Sequence, residues 1–283
     1  MTAPTTAATA RAASAPIISG GSWLRIQAVA RRHWYVLLRS PHRTFDVIFW
    51  PVVDVVLFGS IGTLVSNGDA SAGRIAAGYL LSGVVLWHVV YQTQISLSTG
   101  FLEETWSRNV LNLIVTPLRE WEYAAGVALM GLVKTVIGVG AVALCAAGAF
   151  GFGITRLGWV LVPVVALLML SGWVVALFVI GLVLRFGSGA EALAWGILFA
   201  IMPLSGTMYP VSNLPRPLRP ISQLLPTTHA FAAGRSVLDG GGIPWHELAI
   251  AGATTLAAGL VAMIWVTKML AKFRAKGWVT RYS

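Results

Sequence analysis

The chain has 283 residues, of which 57% are hydrophobic and 11% charged, with a mean hydropathy of +0.77. A soluble domain carries about 25% charged residues, so this composition excludes one and points to an integral membrane protein. The net charge of +10 does not make a nucleic-acid binder, because the basic residues form no single patch and sit at the ends of apolar stretches.

Residues 1–19 are rich in Ala, Thr and Ser and hold no apolar core of signal-peptide length. They read as a disordered, uncleaved cytoplasmic tail. In GSWLRIQAVARRHWYVLLRSP, Trp23, Ile26, Ala30, Trp34 and Leu37 recur at spacings of three and four, while Arg25, Arg32 and Arg39 recur every seven. This pattern predicts a basic amphipathic helix lying in the membrane interface and stopped by Pro41.

About 20 apolar residues cross a bilayer as a helix. Six spans are predicted, at about 44–66, 75–98, 121–150, 157–184, 190–211 and 246–270, within a transmembrane domain over 20–272 followed by a short tail at 273–283. Positive charge orients them. One side collects Arg11, Arg25, Arg31, Arg32, Arg39, Arg43, Arg108, Arg119, Arg185, Lys268, Lys272, Arg274, Lys276 and Arg281. The other keeps Arg74, Arg156, Arg216, Arg219 and Arg235, so both termini are expected in the cytoplasm.

Two polar features interrupt the first three spans. Asp54 and Lys134 lie at similar depth and either pair with one another, or Asp54 sits close enough to the interface to be hydrated. In the second span His88, Gln92 and Ser96 share a stripe, read as glue between helices rather than as a path.

Between the second and third spans, EETWSRNVLNLIVTPLREWE concentrates Glu103, Glu104, Glu120 and Glu122. Within it Glu104 precedes Arg108 by four residues, and Leu102, Trp106 and Leu113 lie on another face. A short cytoplasmic helix over 101–115 is expected, stopped at Thr116-Pro117. Its charged side would be free for a partner and its apolar side packed on the second and third spans. Later, Pro203, Pro210, Pro215, Pro217, Pro220, Pro226 and Pro244 break the region 203–244 into short pieces. ISQLLPTTHAFAAGRSVL is too apolar for a free loop, so short helices re-entering the outer leaflet are expected there.

No HExxH or GxSxG motif and no phosphate-binding loop occurs; the one Lys followed by Thr, Lys134-Thr135, has Val133 where that loop needs glycine. The five histidines are scattered, so no metal site is expected. The only tempting catalytic pair is His229 and Glu247, which keeps a polytopic enzyme acting on lipid as an alternative. A membrane-embedded assembly protein without transport is another.

The order of elements, with EETWSRNVLNLIVTPL and YPVSNLPRPLRPISQLLPTTH as its most specific pieces, resembles the membrane subunit of type-2 ATP-binding-cassette (ABC) exporters over residues 23–272. That resemblance implies an all-α permease without catalytic residues or cofactor of its own, paired with a second membrane subunit as a homodimer in a bacterial cytoplasmic membrane. Two ATPase subunits would carry the ATP and Mg²⁺. It also implies that Glu103, Glu104, Trp106 and Arg108, with Arg25 and Arg32, form the ATPase-coupling region. Pro210, Asn213, Pro226 and His229 would then belong to a re-entrant external hairpin. The tyrosine- and arginine-rich start of O-antigen exporters is not obvious in RSPHRTFDVIFWPVVD, which counts against a polysaccharide substrate.

Overall fold

A computed structural model describes residues 21–66, 72–106, 116 and 118–275. The readings made for 1–19 and 276–283, and for Arg108 and the rest of 107–115, lie outside the described residues. The described chain is helical: α1 Ser22–Arg39, α2 Pro41–Ser66, α3 Ala72–Trp106, α4 Glu120–Phe150, α5 Leu161–Phe186, α6 Glu191–Leu204, α7 Arg219–Leu224, α8 Pro226–Leu238 and α9 Trp245–Ala275. A 3₁₀ segment, Ile154–Val160, leads into α5.

Four helical segments are long and apolar enough to cross a membrane: Pro41–Val65, Trp121–Phe150, Ile154–Phe186 and Trp245–Phe273. They match four of the six predicted spans. The predicted fifth span, 190–211, is corrected: α6 stops at Leu204, and its 14 residues are about 21 Å long against a hydrocarbon core of about 30 Å. Beyond it the backbone turns at Gly206 (φ +60°), where a side chain would be strained.

Helix α3 is the centre of the bundle, packed against α2, α4 and α5. From Leu81 to Val90 every residue is buried. A helix surrounded by protein need not be apolar all round, so α3 carries His88, Gln92, Thr93, Gln94, Ser96 and Ser98, all buried. Thr93 and Ser98 bond their hydroxyls to carbonyls one turn back, at 2.7 and 2.8 Å. Close approach to α5 rests on Gly172, where a Cβ would lie 2.8 Å from the Val90 carbonyl oxygen.

The sequence reading treats 101–115 as a helix separate from the second span. The correction is that α3 runs on without a break to Trp106. Leu102, 1% exposed, packs on Val179 and Val183 of α5 and on Ala190, not on the third span.

Helix α1 is amphipathic as predicted, with its buried stripe rotated. Ile26, Val29, His33 and Leu37 face inward, mainly toward α4. Trp23 and Trp34 lie exposed along one edge, and Arg31, Arg32 and Arg39 are exposed on another face.

Candidate functional site

Three polar clusters stand out, and each begins from a local rule of the chain. The first lies where α1 meets α4. Arg119 precedes α4, and the Glu122 carboxylate accepts the Arg119 backbone N–H at 2.9 Å, closing the helix start. The same carboxylate takes two hydrogen bonds from the Arg25 guanidinium, at 2.8 and 2.9 Å. Glu122 is fully buried, and its carboxylate raises the Arg25 pKa further above the ordinary arginine value. Arg25 was expected to face the ATPase; its charge is instead spent inside the chain. Arg32 is exposed.

The second cluster ties α2 to α3. Arg43 Nη1 donates to Glu103 Oε1 at 2.6 Å, and both side chains are about a third exposed. Lys134 of α4 lies within the field of this pair. Two expectations change here. Glu103 is not a free charge awaiting a partner. Asp54 lies 3.4 Å from His88 Nε2, and the described ion pairs do not include Asp54–Lys134; Lys134 lies within electrostatic range of Glu103 and Arg43. Glu104 and Trp106 lie on α3, but their side chains are outside the described residues.

The third cluster repairs a helix. Pro51 sits inside α2 and has no N–H to offer the Val47 carbonyl one turn earlier. Gln92 of α3 donates its Nε2–H to that oxygen at 2.9 Å, so it acts as glue between the helices. Gly138 of α4 leaves the space: a Cβ there would lie 2.6 Å from Gln92 Nε2. Replacing Gln92 with Leu should cost about 1–3 kcal/mol, the penalty of a buried acceptor left unpaired. In a Pro51→Ala background the new N–H serves Val47, and the same substitution should cost measurably less. Thermal unfolding of the four proteins gives the cycle, and an equal cost in both backgrounds would contradict the account.

The region after α6 is held by side chains. Pro210 accepts the Asn213 N–H at 2.9 Å in a 3₁₀ turn, and Arg219 donates to the Leu214 and Ser212 carbonyls. Pro226 opens α8, whose Thr227, Thr228, Ala230, Phe231 and Ala233 are buried. Arg235 donates to the Gly206 carbonyl, and Ser205 and Thr227 share a hydrogen bond of 2.6 Å. His229 meets Glu247 at 2.9 Å through Nδ1 and the Gln223 carbonyl at 3.0 Å through Nε2. The pair singled out as catalytic therefore meets, but both ring nitrogens are occupied. It works as a strut between α8, α9 and α7. Among the described residues no cluster of His, Cys, Asp or Glu has the makings of a metal site.

Several cavities open on the bundle, and two bear on function. One, of about 400 Å³, is lined mainly by apolar side chains of α5 to α9. The other, of about 520 Å³, lies between α2, α3 and α6 and contains Asp54 and His88.

A helical bundle with four membrane-length helices among its described residues defines a multi-pass membrane protein. The family model for the ABC-2 type transporter matches residues 25–238, and the chain belongs to that family. The family is a membrane component of ABC transporters and works with an ABC ATPase. No curated protein matches the chain.

Proposed function

We propose that this chain is the permease subunit of an ABC exporter. It moves a hydrophobic or amphipathic substrate such as a drug, lipid or lipo-oligosaccharide out of the cytoplasm. Two copies, as a homodimer, work with two separate ATPase subunits that bind ATP and Mg²⁺. α3 serves as a further span beside the four, and the shorter α6 leads into α7 and α8 as the re-entrant pair. Both termini face the cytoplasm of a bacterial cell.

The observation that carries this reading beyond the family match is the pairing at one end of the bundle. Arg25–Glu122 ties α1 to α4, and Arg43–Glu103 ties α2 to α3 beside Lys134. α3 ends at Trp106, close in sequence to Glu103. A push on that end, transmitted through these pairs, moves four helices together. ATP-driven closure of the partner subunits would thereby rearrange the spans.

The enzyme alternative loses support because a general base needs a nitrogen open to substrate, and His229 has both engaged. The test is co-expression with an ABC ATPase encoded beside this chain. Co-purification and an ATPase rate raised by the membrane subunit in lipid are expected. An ATPase that neither co-purifies nor responds would defeat the reading.

A further inference from the structure

The cavity between α2, α3 and α6 has walls unlike those of its apolar neighbour. Six aromatic rings line it: Trp50 and Phe58 from α2, Trp87 and Tyr91 from α3, Trp195 and Phe199 from α6. The Tyr91 and Trp195 rings lie 6.0 Å apart, so the α3 and α6 walls meet. Among the described residues no lysine or arginine lines the cavity, and Asp54 is its one carboxylate. The volume, about 520 Å³, is that of a small-molecule site.

Asp54 is not needed to hold the helices. Its side chain is 42% exposed, and its described partner is His88, 1% exposed, at 3.4 Å. The α2–α3 contact has Gln92–Val47, Arg43–Glu103 and the apolar cluster around Val55 to secure it.

His88 is held from its other side. Its Nδ1 lies 2.8 Å from the Val84 carbonyl oxygen, and a carbonyl only accepts, so Nδ1 carries a hydrogen. A partly exposed carboxylate within a membrane helix, walled by aromatic rings, offers an incoming cation a counter-charge. The ring faces add attraction for the same charge, through their quadrupoles. The walls offer few groups for a polyhydroxylated ligand.

We propose that this cavity is a binding site for a hydrophobic organic cation, with Asp54 as the counter-charge and the rings of Trp50, Trp87, Tyr91 and Trp195 around an apolar body. This rests on the permease reading and narrows its substrate class: the cation is the transported molecule, or part of one.

The experiment uses the full chain in nanodiscs of zwitterionic lipid, without ATPase. The probes are tetraphenylphosphonium and its matched anion, tetraphenylborate, measured by equilibrium dialysis. Saturable binding of the cation and much weaker binding of the anion are expected. Asp54→Asn should weaken cation binding by at least about tenfold, and Asp54→Glu should restore most of it. Trp195→Leu, on the opposite wall, should weaken it by about three- to tenfold. Helicity and monodispersity, unchanged from the parent, qualify a variant for comparison, and Trp195→Leu keeps the test alive if Asp54→Asn fails to fold. Equal affinity for cation and anion, no saturable cation binding, or affinity unchanged in the qualifying variants would overturn the proposal. A chain that activates its ATPase but does not bind the cation remains a permease with another substrate. One that binds the cation but no ATPase leaves this site standing and removes the permease reading.

Discussion

Replacing Glu122 with alanine should loosen α1 from the bundle more than replacing it with glutamine or Arg25 with alanine. Alanine at 122 removes both acceptors of the Arg25 guanidinium and the acceptor of the Arg119 N–H that closes the start of α4. It leaves a cation facing a buried gap. Arg25→Ala removes the first set and strands the buried Glu122 carboxylate, whereas Glu122→Gln removes the charge and keeps an acceptor for Arg119. The expected order of damage is therefore Glu122→Ala, then Arg25→Ala, with Glu122→Gln mildest. Detachment should be partial. Ile26, Val29 and Leu37 still pack inward, and Gly126 admits them closely: a Cβ there would lie 2.6 Å from that of Val29. Tryptic cleavage between Arg31 and Arg32 should accelerate, and the thermal midpoint should fall, in that same order. A cleavage rate and midpoint untouched by Glu122→Ala would mean that apolar packing alone holds α1.

The four lipid-length helices were legible because a surface facing hydrocarbon has to be apolar, and composition alone reports that. The end of the fifth predicted span was not. In LSGTMYPV the residues stay apolar or small while the chain turns. The turn is tolerated because side chains take its backbone groups: Thr207 donates to the Met202 carbonyl and Tyr209 to that of Pro203. Hydropathy does not separate an apolar helix from an apolar turn packed on protein.

Depth was similarly insufficient for Asp54 and Lys134. Equal depth says nothing of rotation about the helix axis, and rotation sends Asp54 to His88 and Lys134 toward Arg43 and Glu103. The Gln92 bond did have a signal in the sequence. Pro51 strips the Val47 carbonyl of its partner, so a polar side chain on an adjacent helix is required. The pairing of His229 with Glu247 was singled out from residue type alone, but its structural role emerges only from the Gln223 carbonyl that occupies the second nitrogen.

Reversing Glu103 to lysine should be the most damaging single change at the end where α2, α3 and α4 meet. The carboxylate accepts from Arg43 at 2.6 Å and stands in the field of Lys134. A lysine there removes the charge that held Arg43 and adds a third cation within electrostatic range of Arg43 and Lys134. Unit charges about 4 Å apart interact by ~4 kcal/mol at an effective dielectric of about 20. Screening at side chains about a third exposed reduces this, so a loss on the order of 2–3 kcal/mol is expected. Glu103→Gln should cost less, since it removes the attraction without adding repulsion. Two rescues identify the cause. Arg43→Glu combined with Glu103→Lys restores an ion pair of opposite polarity and should recover most of the loss. Lys134→Met in the Glu103→Lys background removes one repelling charge and should recover part. Thermal unfolding of the single and double variants gives the coupling. Strictly additive losses would show that these charges act independently. In that case segment 101–106 meets the ATPase without passing its motion through α2, and the coupling route would have to run through Leu102 and its apolar seat on α5 instead.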